Sequence, residues 1–281
     1  MIVDVHTHVF PPEVVRARDD YLRRDPTFAE LYRRPSAALA TAEELLAALD
    51  EAGVDRAVAL GFAWTDPELC RRHNDYLLEW AARSGGRLIP FCTVQPAASW
   101  DETRREAERC AAAGARGLGE LRPANQGYDL AGSDAAGHLA QAARDHGLIL
   151  LFHVSEPVGH RYPGKGGLDL GAFYDFAAAN RDLTVVGAHW AGGLPFYSLM
   201  PEVKDLFNSV YVDTAASHLL YRDQAYQEGV RLIGAERILF GSDFPLTTPA
   251  RARSRVEAAP LTAADKRKIL GENAARLLGL A

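Results

Sequence analysis

The sequence predicts a (β/α)8 barrel of the TIM class, with an inserted segment after the first strand. Three observations predict it. Eight short apolar runs recur along the 281 residues, helical patterns separate them, and the run-to-run spacing is that of a βα unit. With Val5, Ala59, Phe91, Gly119, Phe152, Gly187, Val212 and Phe240 as centres, the intervals are 54, 32, 28, 33, 35, 25 and 28 residues. An open doubly wound sheet is the alternative, but no glycine-rich phosphate loop follows the first run.

In order, the runs are IVDVHTHV, RAVALGF, LIPFCTVQP, GLGELRP, LILLFHVSE, LTVVGAHW, VYVDTAA and ILFGSDFPL. They are nearly continuous in apolarity rather than alternating, as strands covered on both faces are. Helical patterns lie between them: TAEELLAALDEAGV, PELCRRHNDYLLEWAARSG, WDETRREAERCAAAGA, SDAAGHLAQAARDHG, DLGAFYDFAAANRD, LPFYSLMPEVKDLF and QAYQEGVRLIGAER, then a final helix from about Thr262 to Leu280. Several begin at Thr, Asp or Ser caps and end at Gly. One barrel domain over 1–281 is expected. The long first interval holds residues 10–40, with Pro11, Pro12, Pro26 and Pro35 and with Tyr21, Phe28 and Tyr32. It leaves the end of the barrel where barrel enzymes build their sites, so it reads either as a lid or as a helical filling of a rim groove.

Composition narrows the function classes. A net charge of −6 opposes general attraction to nucleic acid, and no apolar run of about 18 residues is present to span a bilayer. Cys70, Cys92 and Cys110 are too few and too irregular for a disulfide framework and are expected to pack in a reducing compartment, the cytoplasm.

Side chains two apart on a strand share a face, so His6 and His8 are expected to face one cavity. Glu120, His153, His189 and Asp243 each fall near the end of another run. Buried charges and imidazoles are costly singly, so their recurrence at five strand ends points to mutual compensation by a metal. Imidazole and carboxylate donors suit a divalent ion, zinc first, with manganese and iron also suited. Arg122, two residues after Glu120, is either a clamp for an acidic substrate or the partner of Glu120. His160, Arg161 and Lys165, in the loop after the fifth run, and His218 after the seventh are further candidates to contribute to such a clamp, and Trp190 and Phe244 read equally as substrate wall or core. His73, His138 and His146 lie on helical patterns and are read as surface or capping residues. Asp4 is placed a layer deeper, and Asp213 near a ligand histidine.

On DVHTH, FHVSE, AHWAGG and GSDFP, in that order and at barrel spacing, the chain resembles the amidohydrolase superfamily, in the branch that includes aminocarboxymuconate semialdehyde decarboxylase. The resemblance implies that His6, His8, His153 and Asp243 hold metal. It makes His189 a second-metal ligand or an acid/base, and Asp243 the group that takes and returns a proton of metal-activated water. Glu120 departs from the one-metal decarboxylase pattern and resembles the fourth-strand bridge of two-metal hydrolases. The leading expectation is therefore hydrolysis of an amide, lactone or other ester of a small, carboxylate-bearing molecule, with one or two ions. The alternative is nonoxidative decarboxylation of a small unsaturated or aromatic acid. A barrel that binds without turnover and a phosphoester hydrolase rank below both. The partner expected is a small molecule, with a homodimer allowed by the resemblance.

Overall fold

The computed structural model describes residues 1–280. Eight parallel strands follow one another in sequence order: β1 Val3–His8, β2 Arg56–Leu60, β3 Leu88–Cys92, β4 Gly117–Leu121, β5 Ile149–Phe152, β6 Val185–Gly187, β7 Val210–Asp213 and β8 Ile238–Leu239. The barrel closes through main-chain bonds between β1 and the extended chain that follows β8. Val5 N–H donates to Phe240 O (2.8 Å), Asp243 N–H to His6 O (2.9 Å) and His8 N–H to Phe244 O (2.7 Å). The eight expected strand centres fall on these strands or within one residue of them.

Two apolar sets explain why the runs lack clean alternation. Val3, Val58, Leu60, Ile89, Phe91, Ile149, Leu151 and Val186 pack with one another and with Ala274 and Leu278 of the last helix. Ala57, Ala59, Leu88, Leu118, Leu150, Phe152 and Val185 pack against the surrounding helices. Most of the strands are thus apolar on both faces, β1 and β4 being the exceptions.

The helices follow their caps. Thr41 and Glu44 form a reciprocal capping box on Ala42–Ala52, which ends at the left-handed Gly53. Asp66, Ser99, Ser133 and Asp169 cap the helices of the next four βα units by accepting from a first-turn N–H. Two expectations need correction. The pattern over LPFYSLMPEVKDLF is broken into Leu194–Tyr197 and Pro201–Leu206, because Pro201 is confined to a first turn. A helix at Pro249–Ala258 was not anticipated, since its Arg-rich sequence carries a weak apolar stripe.

The segment after β1 forms three short helices, α1 Pro12–Arg16, α2 Arg18–Arg24 and α3 Pro26–Tyr32. They rest on an aromatic cluster in which Phe10, Phe28 and Tyr32 meet Phe62 and Trp64 from the chain after β2. Asp25 pins α3 in place: one carboxylate oxygen caps Phe28 N–H (2.8 Å) and the other accepts from Thr65 N–H and Thr65 Oγ (2.8 Å each).

His73, expected as a surface or capping residue, lies in this cluster and is buried. Its Nε2–H donates to Val9 O (2.8 Å), while Nδ1 accepts from Trp64 Nε1–H (3.1 Å) and Phe62 N–H (3.3 Å). Only the neutral ring satisfies all three bonds, and burial lowers its pKa to about 4. The unfolded chain therefore takes up a proton below pH 6.5 that the folded chain refuses until about 4. Stability contributed by neutral His73 is complete above pH 6.5 and falls with decreasing pH, by up to about 3 kcal/mol. Urea unfolding of the wild type and His73→Gln between pH 4 and 7 checks this: the acid-side decline is expected to be shallower in the variant.

Candidate metal centre

The candidate residues converge at the C-terminal ends of the strands. His6 and His8 bring their Nε2 atoms to 3.1 Å of each other. Asp243, on the chain after β8, sets Oδ1 at 3.6 Å from His6 Nε2 and 3.5 Å from His8 Nε2. From β4, Glu120 enters the middle of the group. Its Oε1 lies 3.0 Å from His153 Nδ1, 3.5 Å from His189 Nε2 and 3.8 Å from His6 Nε2, and its Oε2 lies 3.6 Å from His8 Nε2. Two sets have donor atoms close enough to share one ion: His6 with Glu120 and His189, and His6 with His8 and Asp243. His153 joins through Glu120.

The outer partners decide which nitrogens are bare. His6 Nδ1–H donates to Asp213 Oδ2 (2.8 Å), His189 Nδ1–H to Ala215 O (3.2 Å) and His153 Nε2–H to Gly164 O (3.1 Å). These acceptors claim one proton from each neutral ring, so the opposite nitrogen turns a lone pair toward the cluster. Three lone pairs then face the Glu120 carboxylate, acceptor against acceptor. Positive charge has to lie among them. Without a cation, protons supply some of it: burial opposes charging His6, yet Asp213, aided by Asp243 and Glu120, raises its pKa to about 10. His189 is likewise raised, against burial, by Glu120 and Asp243. His153 is not: burial and the Arg122 cation lower it to about 4, and its Nε2 lies within reach of Ser155 Oγ (3.0 Å) as well as of Gly164 O. The donor set, buried imidazole nitrogens and carboxylate oxygens, fits a divalent ion.

Asp213 sets the frame. Beyond holding the His6 ring, its Oδ1 accepts from His189 N–H (2.9 Å) and Ala215 N–H (3.0 Å). Asp4 Oδ1 accepts from His6 N–H (3.2 Å) and Ser242 N–H (2.9 Å), joining β1 to the residue before Asp243. The backbone is strained where the site needs it: His189 (φ 57°), Trp190 (φ 59°), Ala191 (φ 46°) and Asp243 (φ 66°) are all left-handed. The AHWAGG turn is possible because a side chain on Gly187 would collide with Ala191, and one on Gly192 would come within 2.6 Å of Ser155 O.

Other candidates land differently. Glu120 faces the histidines and makes no ion pair with Arg122, because the β4 register shifts between Leu118 and Leu121 and Glu120 N–H bonds Gly61 O. Arg122 is 2 % exposed and donates from Nη2 to Gly164 O (2.8 Å), the same carbonyl that His153 uses, and from Nε to Asn125 Oδ1 (3.2 Å). Trp190 belongs to the core rather than to a substrate wall. Its indole is wholly buried against Tyr226 and Gly229, with Nε1–H donating to Ser217 Oγ (2.7 Å). His218 sits partly exposed on Ser217–Leu220, within the field of Asp243. Phe244 is buried. Lys165 is tied to His160 O (2.9 Å), within its own loop. Tyr32 was not singled out. Its hydroxyl pKa is raised by burial and then by Asp243 and Glu120, which places α3 in the field of the cluster. No motif marks a residue on so irregular a segment.

A (β/α)8 barrel carrying imidazole and carboxylate donors at its strand ends defines a class of metal-centre enzymes. The family model for amidohydrolase matches residues 3–280, and the chain belongs to that family. No curated protein sequence matches it. Among solved structures it is similar to 5-carboxyvanillate decarboxylase from Sphingomonas paucimobilis (19 % identity, TM-score 0.81, covering 100 % of this chain and 99 % of that one). It is also similar to dihydroxybenzoic acid decarboxylase from Polaromonas sp. JS666, solved with bound manganese and 2-nitroresorcinol (20 %, 0.76, 99 % and 97 %). A third likeness is to 2,6-dihydroxybenzoate decarboxylase from Rhizobium (21 %, 0.74, 99 % and 98 %). Among the described residues no helix is long and apolar enough to cross a membrane.

Dialysed His6→Ala and Asp243→Ala proteins are expected to lose most bound divalent metal by elemental analysis. Asp213→Asn is expected to keep the fold and weaken metal affinity about 10- to 100-fold. Retention of full metal content by both alanine variants would falsify the donor assignment.

Proposed function

We propose that the protein is a metal-dependent nonoxidative decarboxylase of a small aromatic or unsaturated acid. One observation carries the reading: a buried guanidinium, Arg122, shares the Gly164 carbonyl with His153 at the edge of the donor cluster and, among the described residues, has no carboxylate within hydrogen-bond distance. A metal site beside a buried cation whose nearest carboxylate, Glu30, stands 3.9 Å away suits an acidic substrate. The decarboxylases among similar solved structures support the same choice over the hydrolysis that Glu120 suggested from sequence.

In this one-ion reading the donors His6, His8, Glu120, His153 and Asp243 would hold the ion, whether manganese, zinc or iron, and His189 stays free of it as the acid. A divalent cation there supplies fixed positive charge that stabilises negative charge developing on the substrate. The remaining work falls to the chain. Ion-pairing the departing carboxylate would stabilise the ground state and slow its loss, so Arg122 anchors a different acidic substituent, one that remains. The C–C bond to the departing group breaks, carbon dioxide leaves, and the bonding pair stays on the substrate carbon. That carbon then takes a proton. His189 delivers it, since neighbouring carboxylates favour its protonated form. The aromatic cluster of Phe10, Phe28, Tyr32 and Phe62 keeps water from this side of the site.

Hydrolysis of a lactone, amide or other ester stands as the second reading, favoured by the central Glu120, whose two oxygens reach four histidines and could serve two ions.

A panel of aromatic hydroxy acids and diacids separates the two. Carbon dioxide is expected in step with loss of the acid, at one metal per chain. Lactone or amide cleavage at two metals per chain, with no carbon dioxide from any acid, would discard decarboxylation. Arg122→Ala is expected to raise KM at least tenfold for a substrate with a second acidic group and to spare a neutral analogue.

A further inference from the structure

Arg122 is enclosed by three segments, and the insertion supplies one of them. From α3, Glu30 Oε2 accepts a hydrogen bond from Asn125 Nδ2 (2.7 Å), and the Oδ1 of that same amide accepts from Arg122 Nε (3.2 Å). Its other oxygen, Oε1, stands 3.9 Å from Arg122 Nη2. Next to it, Leu31 packs against Gly164 so closely that a side chain there would collide with it, and Gly164 O holds Nη2. The guanidinium side chain is 3 % exposed while Glu30 is 40 % exposed. A buried cation thus has its nearest carboxylate at a distance too long for a hydrogen bond, because Asn125 holds that carboxylate back. Among the described residues Arg122 donates to protein acceptors through Nε and Nη2 only, leaving guanidinium N–H groups for another anion.

We propose that Glu30 is a resident counter-anion of the Arg122 subsite and a specificity-determining residue of the active site. It balances the guanidinium when the subsite is free, and it repels any acid that binds there. The inference rests on the reading of Arg122 as the substrate-acid anchor. It makes the insertion more than a cover. By way of Asn125, α3 sets how strongly the site takes an anion, so weakly held monoacids are disfavoured relative to acids that also reach the metal donors.

Glu30→Gln isolates the charge, since the amide oxygen can still accept from Asn125 Nδ2. The test is calorimetric binding of benzoate, with benzamide as the neutral control, to the metal-loaded wild type, Glu30→Gln, Arg122→Gln and the double variant. Glu30→Gln is expected to bind benzoate at least about fivefold more tightly, the ratio for one like charge removed at about 4 Å in a water-like medium. Benzamide affinity stays unchanged, and the gain vanishes in the double variant. If Arg122→Gln weakens benzoate while Glu30→Gln leaves it unchanged or weakens it, Glu30 is a structural tie and this inference fails while the anchor stands. Equal tightening of benzamide also overturns it, because the effect is then steric. Benzoate binding that ignores Arg122→Gln removes the anchor itself. A thermal melt of Glu30→Gln within about 2 °C of wild type keeps lid loosening out of the comparison.

Discussion

Lone pairs facing a carboxylate are the constraint around which this molecule is arranged. Asp213, Ala215 and Gly164 each accept a hydrogen bond from the outer N–H of a histidine, and by doing so turn the inner nitrogens of His6, His189 and His153 toward Glu120. Such a group is tolerable only with positive charge inside it. A barrel is the frame that can impose it, because strands distant in sequence end within a few ångströms of one another. The closure from Asp243 N–H to His6 O and the double acceptance by Asp4 join the first and last of them.

The same frame stores strain. His189 and Asp243 both occupy left-handed backbone, where a non-glycine residue costs about 1–2 kcal/mol. Around His189 the strain runs on through Trp190 and Ala191 and is made possible by the glycines at 187, 192 and 193. The buried Trp190 indole and its bond to Ser217 repay part of that cost by anchoring the turn in the core. A residue that looked like a substrate wall in sequence thus supports the turn that presents its neighbour.

Charge on the rim is set by a different part of the chain. The insertion after β1 reaches across to the loops after β4 and β5, where Glu30, Asn125 and Gly164 surround Arg122. The donor cluster and this cation meet at Gly164 O, which lies within hydrogen-bond reach of both His153 and Arg122.

Much of the architecture was legible in the chain. The period of the apolar runs determined the barrel, because strands buried on both faces must be apolar nearly throughout, and polar residues at their ends then stand out. His6, His8, Glu120, His153, His189 and Asp243 were visible for that reason. What tertiary structure alone decided is the direction each of them faces and what stands behind it. Glu120 could have paired with Arg122 until the β4 register turned it inward. His73 read as a surface or capping residue because its helix shows only local periodicity, while its three partners come from the ends of β1 and β2. Glu30 and Asn125 gave no signal at all, and Tyr32 only that of one aromatic among several in the insertion, since they come together through an irregular segment whose path follows from packing on Phe10 and Trp64. Strand identity is local and repeats along the chain; the bonds that select a tautomer or a counter-charge join residues far apart in it, and only the folded molecule brings them together.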